Sequence, residues 1–137
     1  MPRALGFVGP YLFLLMISGC GGSGDVIVTG QLLSKGTVYK PAQGEQVMVS
    51  LSQEKDGKST GNIFPTRVNS DGTFKITGPN DRGIPPGKYR VGITSMPEVP
   101  MPGQPMEEKF QGAFSLEKSP LYVDVSPANK SLKIEMP

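Results

Sequence analysis

Few residues in this chain are equipped for chemistry. Histidine and tryptophan are absent, and the only thiol belongs to Cys20. Without an imidazole, the side chain that most readily moves protons at neutral pH is missing, which argues against acid–base catalysis. Glu107-Glu108 supplies a pair of carboxylates, but neighbours on an extended chain point to opposite sides, so the pair reads as a solvated, charged loop. Asn69, Asp71, Asn80 and Asp81 carry oxygens suited to calcium. That ion wants a tight set of six to eight, and Asn69-Ser70-Asp71-Gly72 reads as a plain turn instead. Met96, Met101 and Met106 recur at five-residue intervals. Thioethers suit Cu(I), while the default reading is a proline-stiffened loop whose methionines pack or lie exposed. Lys75, Lys88 and Arg90 are expected to form an outward basic stripe, guarding a sheet edge or meeting an acidic polymer of a cell envelope. Tyr39 and Phe110 are the candidates for stacking on a glycan, with packing on the core as the default. The expectation is a protein without catalytic activity, cofactor or metal.

Cys20 owes its interest to its position. Arg3 opens the chain with a positive charge, Ala4 to Ile17 is mostly apolar, and Ser18-Gly19 supplies small residues before Cys20. That is the layout of a secretory signal peptide over residues 1–19. The apolar run falls short of the ~20 residues a membrane span needs, and Gly9-Pro10 would break a spanning helix. Ile17-Ser18-Gly19-Cys20 resembles the lipobox of bacterial lipoproteins. The resemblance implies cleavage before Cys20, a diacylglyceryl group on its thiol and a membrane-anchored chain. Stable anchoring takes more than one acyl chain, which that family's modification supplies. Gly21-Gly22-Ser23-Gly24 has no side chain to bury and is expected to extend residue 20 into a flexible tether over 20–24. Gly21, where an aspartate would signal inner-membrane retention, implies the outer membrane rather than the inner.

From Cys20 to Pro137 the length suits one domain with a real core. The chain carries 14 Lys and Arg against 12 Asp and Glu, one of the former being Arg3 of the leader. So even a balance excludes nucleic acid, which wants a clear basic excess, and offers no polybasic patch for anionic lipid. The 18 glycines and 14 prolines fall mostly between apolar runs and mark turns.

These turns separate seven expected strands. Asp25 to Leu33 is rich in β-branched residues, with Gly30 signalling a bulge or a close backbone approach. In Gln46 to Ser52, Val47, Val49 and Leu51 alternate with Met48, Ser50 and Ser52, the period of a half-buried strand. Gln53 to Gly61 reads as a solvated loop. Asn62 to Val68 and Thr73 to Thr77 read as a β-hairpin about Asn69-Ser70-Asp71-Gly72, with Pro65 placing its first strand at an edge. A proline-stiffened crossing over Gly78 to Gly87 leads to Lys88 to Thr94, where Tyr89, Val91 and Ile93 alternate. Ser95 to Met106 holds four prolines and is expected to be neither helix nor inner strand. Glu107 to Leu116 has room for a turn of helix, and Leu121 to Val125 and Ser131 to Met136 complete the set.

Seven short strands without a long helix predict a Greek-key β-sandwich over 25–137. The order VTGQLL, QVMVSLS, VNSDGTFKI, IPPGKYRVGIT, SPLYVDV resembles the transthyretin-like (carboxypeptidase-regulatory-like) domains of bacterial lipoproteins. Asp71-Gly72-Thr73-Phe74 and Pro86-Gly87-Lys88-Tyr89-Arg90-Val91 carry most of that likeness, and the Pro/Met-rich 95–106 looks like an insertion. The purine-pathway hydrolases of this fold use histidines and a C-terminal Tyr-Arg-Gly-Ser. This chain ends Ser-Leu-Lys-Ile-Glu-Met-Pro, so the resemblance implies a structural or interaction module, presenting loops to an envelope protein or polysaccharide.

Overall fold

The computed structural model describes residues 24–99, 102–103 and 107–137. Cys20, Met101 and Met106 lie outside the described residues. Among the described residues there are eight strands: β1 (Val28–Ser34), β2 (Thr37–Val38), β3 (Glu45–Lys55), β4 (Lys58–Arg67), β5 (Thr73–Ile76), β6 (Gly87–Pro97), β7 (Tyr122–Val125) and β8 (Ser131–Met136). Among the described residues there is no α-helix, only a three-residue 3-10 turn at Pro79–Asp81. None is therefore long and apolar enough to cross a membrane.

The strands form two sheets. In the first, β1 is central, with antiparallel β5 and β2 along one edge and parallel β8 along the other. The second runs β4-β3-β6-β7, antiparallel throughout. Alternation fixes which side faces in. Val28 and Leu32, Val47, Val49 and Leu51, Phe74 and Ile76, Tyr89, Val91 and Ile93, and Leu132, Ile134 and Met136 are all buried between the sheets. Each such Val, Leu, Ile or Phe contributes about 1.5–3 kcal/mol through the surface it removes from water. Gly30 sits in this apolar row because its neighbour needs the space. It lies directly opposite Phe74 in the β1–β5 ladder, and a Cβ there would meet the Phe74 ring at 2.4 Å. The register runs through Gly30 without a shift, so it marks a close approach and not a bulge.

Several expectations are corrected by the pairing. Residues 62–77 are not a hairpin: β4 pairs with β3 and β5 with β1, so the chain changes sheets at Asn69–Gly72. The turn itself is hairpin-like, with Gly72 N–H donating to Asn69 O and Asn69 N–H to Thr73 O, but the arms diverge to reach different ladders. A hairpin does lie in the stretch read as a solvated loop. Lys55 faces Lys58 across Asp56-Gly57, both at positive φ, the two-residue turn whose twist suits a strand pair. Strand β6 also outruns its expected end, so residues 95–97 are strand, paired with Glu45, Gln46 and Val47 on one side only. Pro97 is tolerated because it is the strand's last residue, and the next ladder donor, Glu98 N–H, bonds Gly44 O. Pro65 does lie on the edge strand of its sheet, and Gly78–Gly87 does cross between sheets.

Glu107 to Leu116 forms consecutive turns in place of a helical turn, with Gln111 and Gly112 at positive φ. These turns have a definite task. Strand β7 covers only the first third of the β6 edge, from Gly87 to Arg90. Beyond it, Val91 N–H bonds Leu121 O, Ile93 N–H bonds Phe114 O, and Lys109 N–H bonds Ser95 O. The segment thus satisfies an edge that would otherwise stand open.

Candidate functional site

One end of the sandwich gathers a set of polar side chains from four separate parts of the chain. Tyr39 follows β2, Glu45 begins β3, Ser95 lies near the end of β6 and Lys109 belongs to the turns along it. The β3–β6 register, with Val47 opposite Ser95 and Glu45 opposite Pro97, brings the first strands together. Ser95 is 1% exposed and Glu45 is largely covered.

Glu45 is the hub. Its Oε1 accepts from Tyr39 OH at 2.5 Å and Ser95 Oγ at 2.6 Å, with Lys109 Nζ at 3.4 Å. Its Oε2 accepts from Ala42 N–H at 2.9 Å. Lys109 Nζ also donates to Tyr39 OH at 2.6 Å. Glu108 performs a related service beside it, accepting from Ser95 N–H and Gly112 N–H at 2.9 Å each. Its carboxylate replaces the strand carbonyl that β6 lacks at that point. Glu107-Glu108 is thus split: Glu107 is exposed, while Glu108 is half-buried and engaged.

The electrostatics follow from these bonds. Burial alone would raise the Glu45 pKa. Hydrogen bonds from Ser95, Tyr39 and Ala42, with the Lys109 charge, outweigh burial and hold it at about 2. Burial and donation to Glu45 push the Tyr39 phenol upward. The hydrogen bond to the Tyr39 oxygen, with the Glu45 charge, raises Lys109. All three move away from neutrality, so at pH 7 the carboxylate stays ionised, the phenol protonated and the ammonium charged.

A cleft of about 240 Å³ opens beside this cluster, lined by Gln43, Gly44, Met96, Pro97 and Glu107 as well as by Glu45, Ser95 and Lys109. Met96 is half-buried there. Tyr39 and Phe110 are half-buried against the core, their rings edge to face at 6.1 Å, and Phe110 meets Phe114 the same way at 5.7 Å. Among the described residues the exposed tyrosine is instead Tyr122 on β7, 41% accessible, with Lys88 Nζ 4.7 Å from its ring centre. Arg90 reaches the Tyr122 hydroxyl and pairs with Glu54 at 3.1 Å.

The expected basic stripe is divided: Lys88 and Arg90 lie on β6 in the second sheet, and Lys75 lies on β5 in the first. Asp71 makes a turn, its Oδ1 accepting from Thr73 N–H at 3.0 Å and Thr73 Oγ1 at 2.6 Å. Among the described residues no three His, Cys, Asp or Glu side chains are placed to hold a metal. The Glu45 cluster itself was not foreseen. Its members stand 6, 50 and 14 positions apart in order along the chain, and only the strand register unites them. No family model, no curated protein and no solved structure matches this chain.

Proposed function

We propose that the protein is a non-catalytic, lipid-anchored module of a bacterial cell envelope, with a structural or interaction role. The observation that carries this reading is the sole cysteine at the end of an apolar run, in Ile17-Ser18-Gly19-Cys20. A diacylglyceryl group on Cys20 makes residues 1–19 a discarded signal peptide, and Gly21 directs the chain to the outer rather than the inner membrane. The described fold suits such an anchor. Val26 N–H bonds Ile84 O and Ile84 N–H bonds Val26 O, so the domain begins within six residues of the cysteine. That holds it within about 20 Å of the membrane surface.

The domain is a Greek-key sandwich of the transthyretin-like kind. What supports this is the path of the chain: the connections β2–β3, β4–β5, β5–β6 and β7–β8 each pass from one sheet to the other. What supports a non-catalytic role is the Glu45 cluster. Its carboxylate is fully engaged by donors, and none of its groups is poised to exchange a proton near neutral pH. It acts as a clasp that fastens the β2–β3 connection to β6 and to the turns along its edge.

Metabolic labelling with a fatty acid tests the anchor. The wild type takes up label, and Cys20→Ser is left unprocessed, unlabelled and outside the membrane fraction. Label persisting on that variant refutes the reading. Crosslinking in the native envelope then identifies the partner protein or polysaccharide.

A second reading, a Cu(I) carrier using Met96, Met101 and Met106, is favoured by one observation. Met48 lies on the same sheet face as Met96, one diagonal step away, since Gln46 faces Met96 and Met48 faces Thr94. Copper titration of the wild type against a Met96→Leu, Met101→Leu, Met106→Leu variant decides it; identical curves remove the reading.

A further inference from the structure

We propose that the outer face of the first sheet binds an acidic polysaccharide, its carboxylates on Lys75 and Lys133 and its hydroxyls on the polar side chains between them. The proposal deepens the interaction-module reading and rests on it.

The face is a grid built by register. Lys75 of β5 lies opposite Thr29 of β1, which lies opposite Ser131 of β8. In the adjoining row, Thr73 lies opposite Gln31, which lies opposite Lys133. The two cations therefore occupy opposite corners, about 12 Å apart at ordinary strand and residue spacings. All six side chains, with Asn69, line a hollow of about 400 Å³.

Among the described residues no acidic side chain lines that hollow. The acid nearest in sequence, Asp71, is turned to Thr73 through its N–H and hydroxyl, and Asn69 Nδ2 donates to Thr73 Oγ1 at 3.3 Å. Those bonds hold the Thr73 corner in place. Glu135 points to the same side of β8 but stands outside the hollow. Among the described residues Lys75 and Lys133 form no ion pair, whereas Arg67, Arg90 and Lys109 each do.

This chemistry selects its occupant. Two separated ammonium groups call for separated anionic groups on one extended molecule. Thr29, Ser131 and the two amides between the lysines both donate and accept, matching sugar hydroxyls, while Thr73 Oγ1, its proton given to Asp71, offers only a lone pair. Among the described residues no aromatic side chain is exposed on the face for stacking, so recognition rests on charge and hydrogen bonds and weakens with salt. A neutral glycan would leave both cations unused.

Titration of the full chain in detergent micelles with polygalacturonate tests this, with dextran as the neutral polymer and polyacrylate as a carboxylate chain without sugar. The wild type binds polygalacturonate saturably, more weakly at higher salt, and ignores dextran. Lys75→Gln with Lys133→Gln lowers affinity up to about 25-fold, taking up to about fivefold per exposed charge pair. Thr29→Val with Ser131→Ala weakens polygalacturonate binding and spares polyacrylate. Absent binding, or binding unchanged in the lysine variant, overturns the proposal. Equal affinity for polyacrylate overturns its sugar half. Fatty-acid labelling of the same preparations reports on the anchor separately, so loss of label there counts against lipidation and not against the glycan face.

Discussion

Two Asp-Gly pairs stand at opposite ends of this sandwich and do different work. Asp56-Gly57 follows the last residue of β3, with both residues at positive φ, and a Cβ built on Gly57 meets nothing within 4 Å. Asp71-Gly72 lies at the other end, where β3 begins, and Gly72 is buried. A Cβ on Gly72 would meet Val38 Cγ1 at 2.4 Å and the backbone oxygen of Tyr39 at 2.7 Å. One glycine serves only the twist of a hairpin. The other serves a tight turn between the two sheets and the close passage of the chain leading to the Tyr39–Glu45 clasp. The same dipeptide therefore marks a free end and a fastened one.

The largest expected effect falls on the fastened end. Gly72→Ala combines the cost of a positive φ with a clash against backbone that cannot rotate away, about 3 kcal/mol in all. Urea unfolding measures it. Gly57→Ala carries the φ cost alone, about 1 kcal/mol. Equal losses at the two sites would erase the distinction between the ends.

Glu45→Gln ranks next, with a loss of about 2 kcal/mol at pH 7, because several hydrogen bonds to a charge become neutral ones. The pH dependence carries its own sign. The Glu45 pKa is depressed in the folded state from the ordinary 4.5 to about 2. Its contribution is therefore complete above pH 4.5 and disappears as pH falls toward 2, an effect of about 2–3 kcal/mol. Stability measured across that window declines in the wild type and declines less in Glu45→Gln. Parallel curves would show that the clasp carries no such linkage.

The smallest effect belongs to the free end again. Asp56→Asn keeps a residue that accepts positive φ, and among the described residues the Asp56 side chain makes no ion pair, so its change stays within about 0.5 kcal/mol. A larger loss would mean that the hairpin is fastened after all.

This contrast also explains what the residues alone could tell. Alternation in β3, β6 and β8 is legible because one side of each strand is buried and the other is wet. The Asp56-Gly57 hairpin escaped notice because the first half of β4 is exposed on both sides, so Lys58 to Asn62 carries no apolar rhythm to flank the turn. Asn69–Gly72 misled for the opposite reason. Both its flanks are apolar, as a hairpin would have them, but each buries its side chains from a different sheet. Strand β2, two residues long, is too short for any period. The expected stripe of Lys75, Lys88 and Arg90 divides because β5 and β6 belong to different sheets, and a sheet face is assembled across paired strands, which is why Lys75 keeps company with Lys133. The clasp was beyond reach, because Ser95 lay in a stretch whose prolines argued against strand and Lys109 in one without a pattern.

The parallel seat of β8 beside β1 has a temporal consequence. The central strand of the first sheet is among the earliest parts of the domain to be synthesised, and the neighbour that completes it is the latest. Leu132, Ile134 and Met136 fill the core only after the other seven strands have been made. A chain whose synthesis has not yet reached β8 therefore lacks its closing piece, and the high contact order of that final pairing makes folding slow and late. Removing the last few residues would leave an apolar trough along β1 rather than a slightly shorter domain.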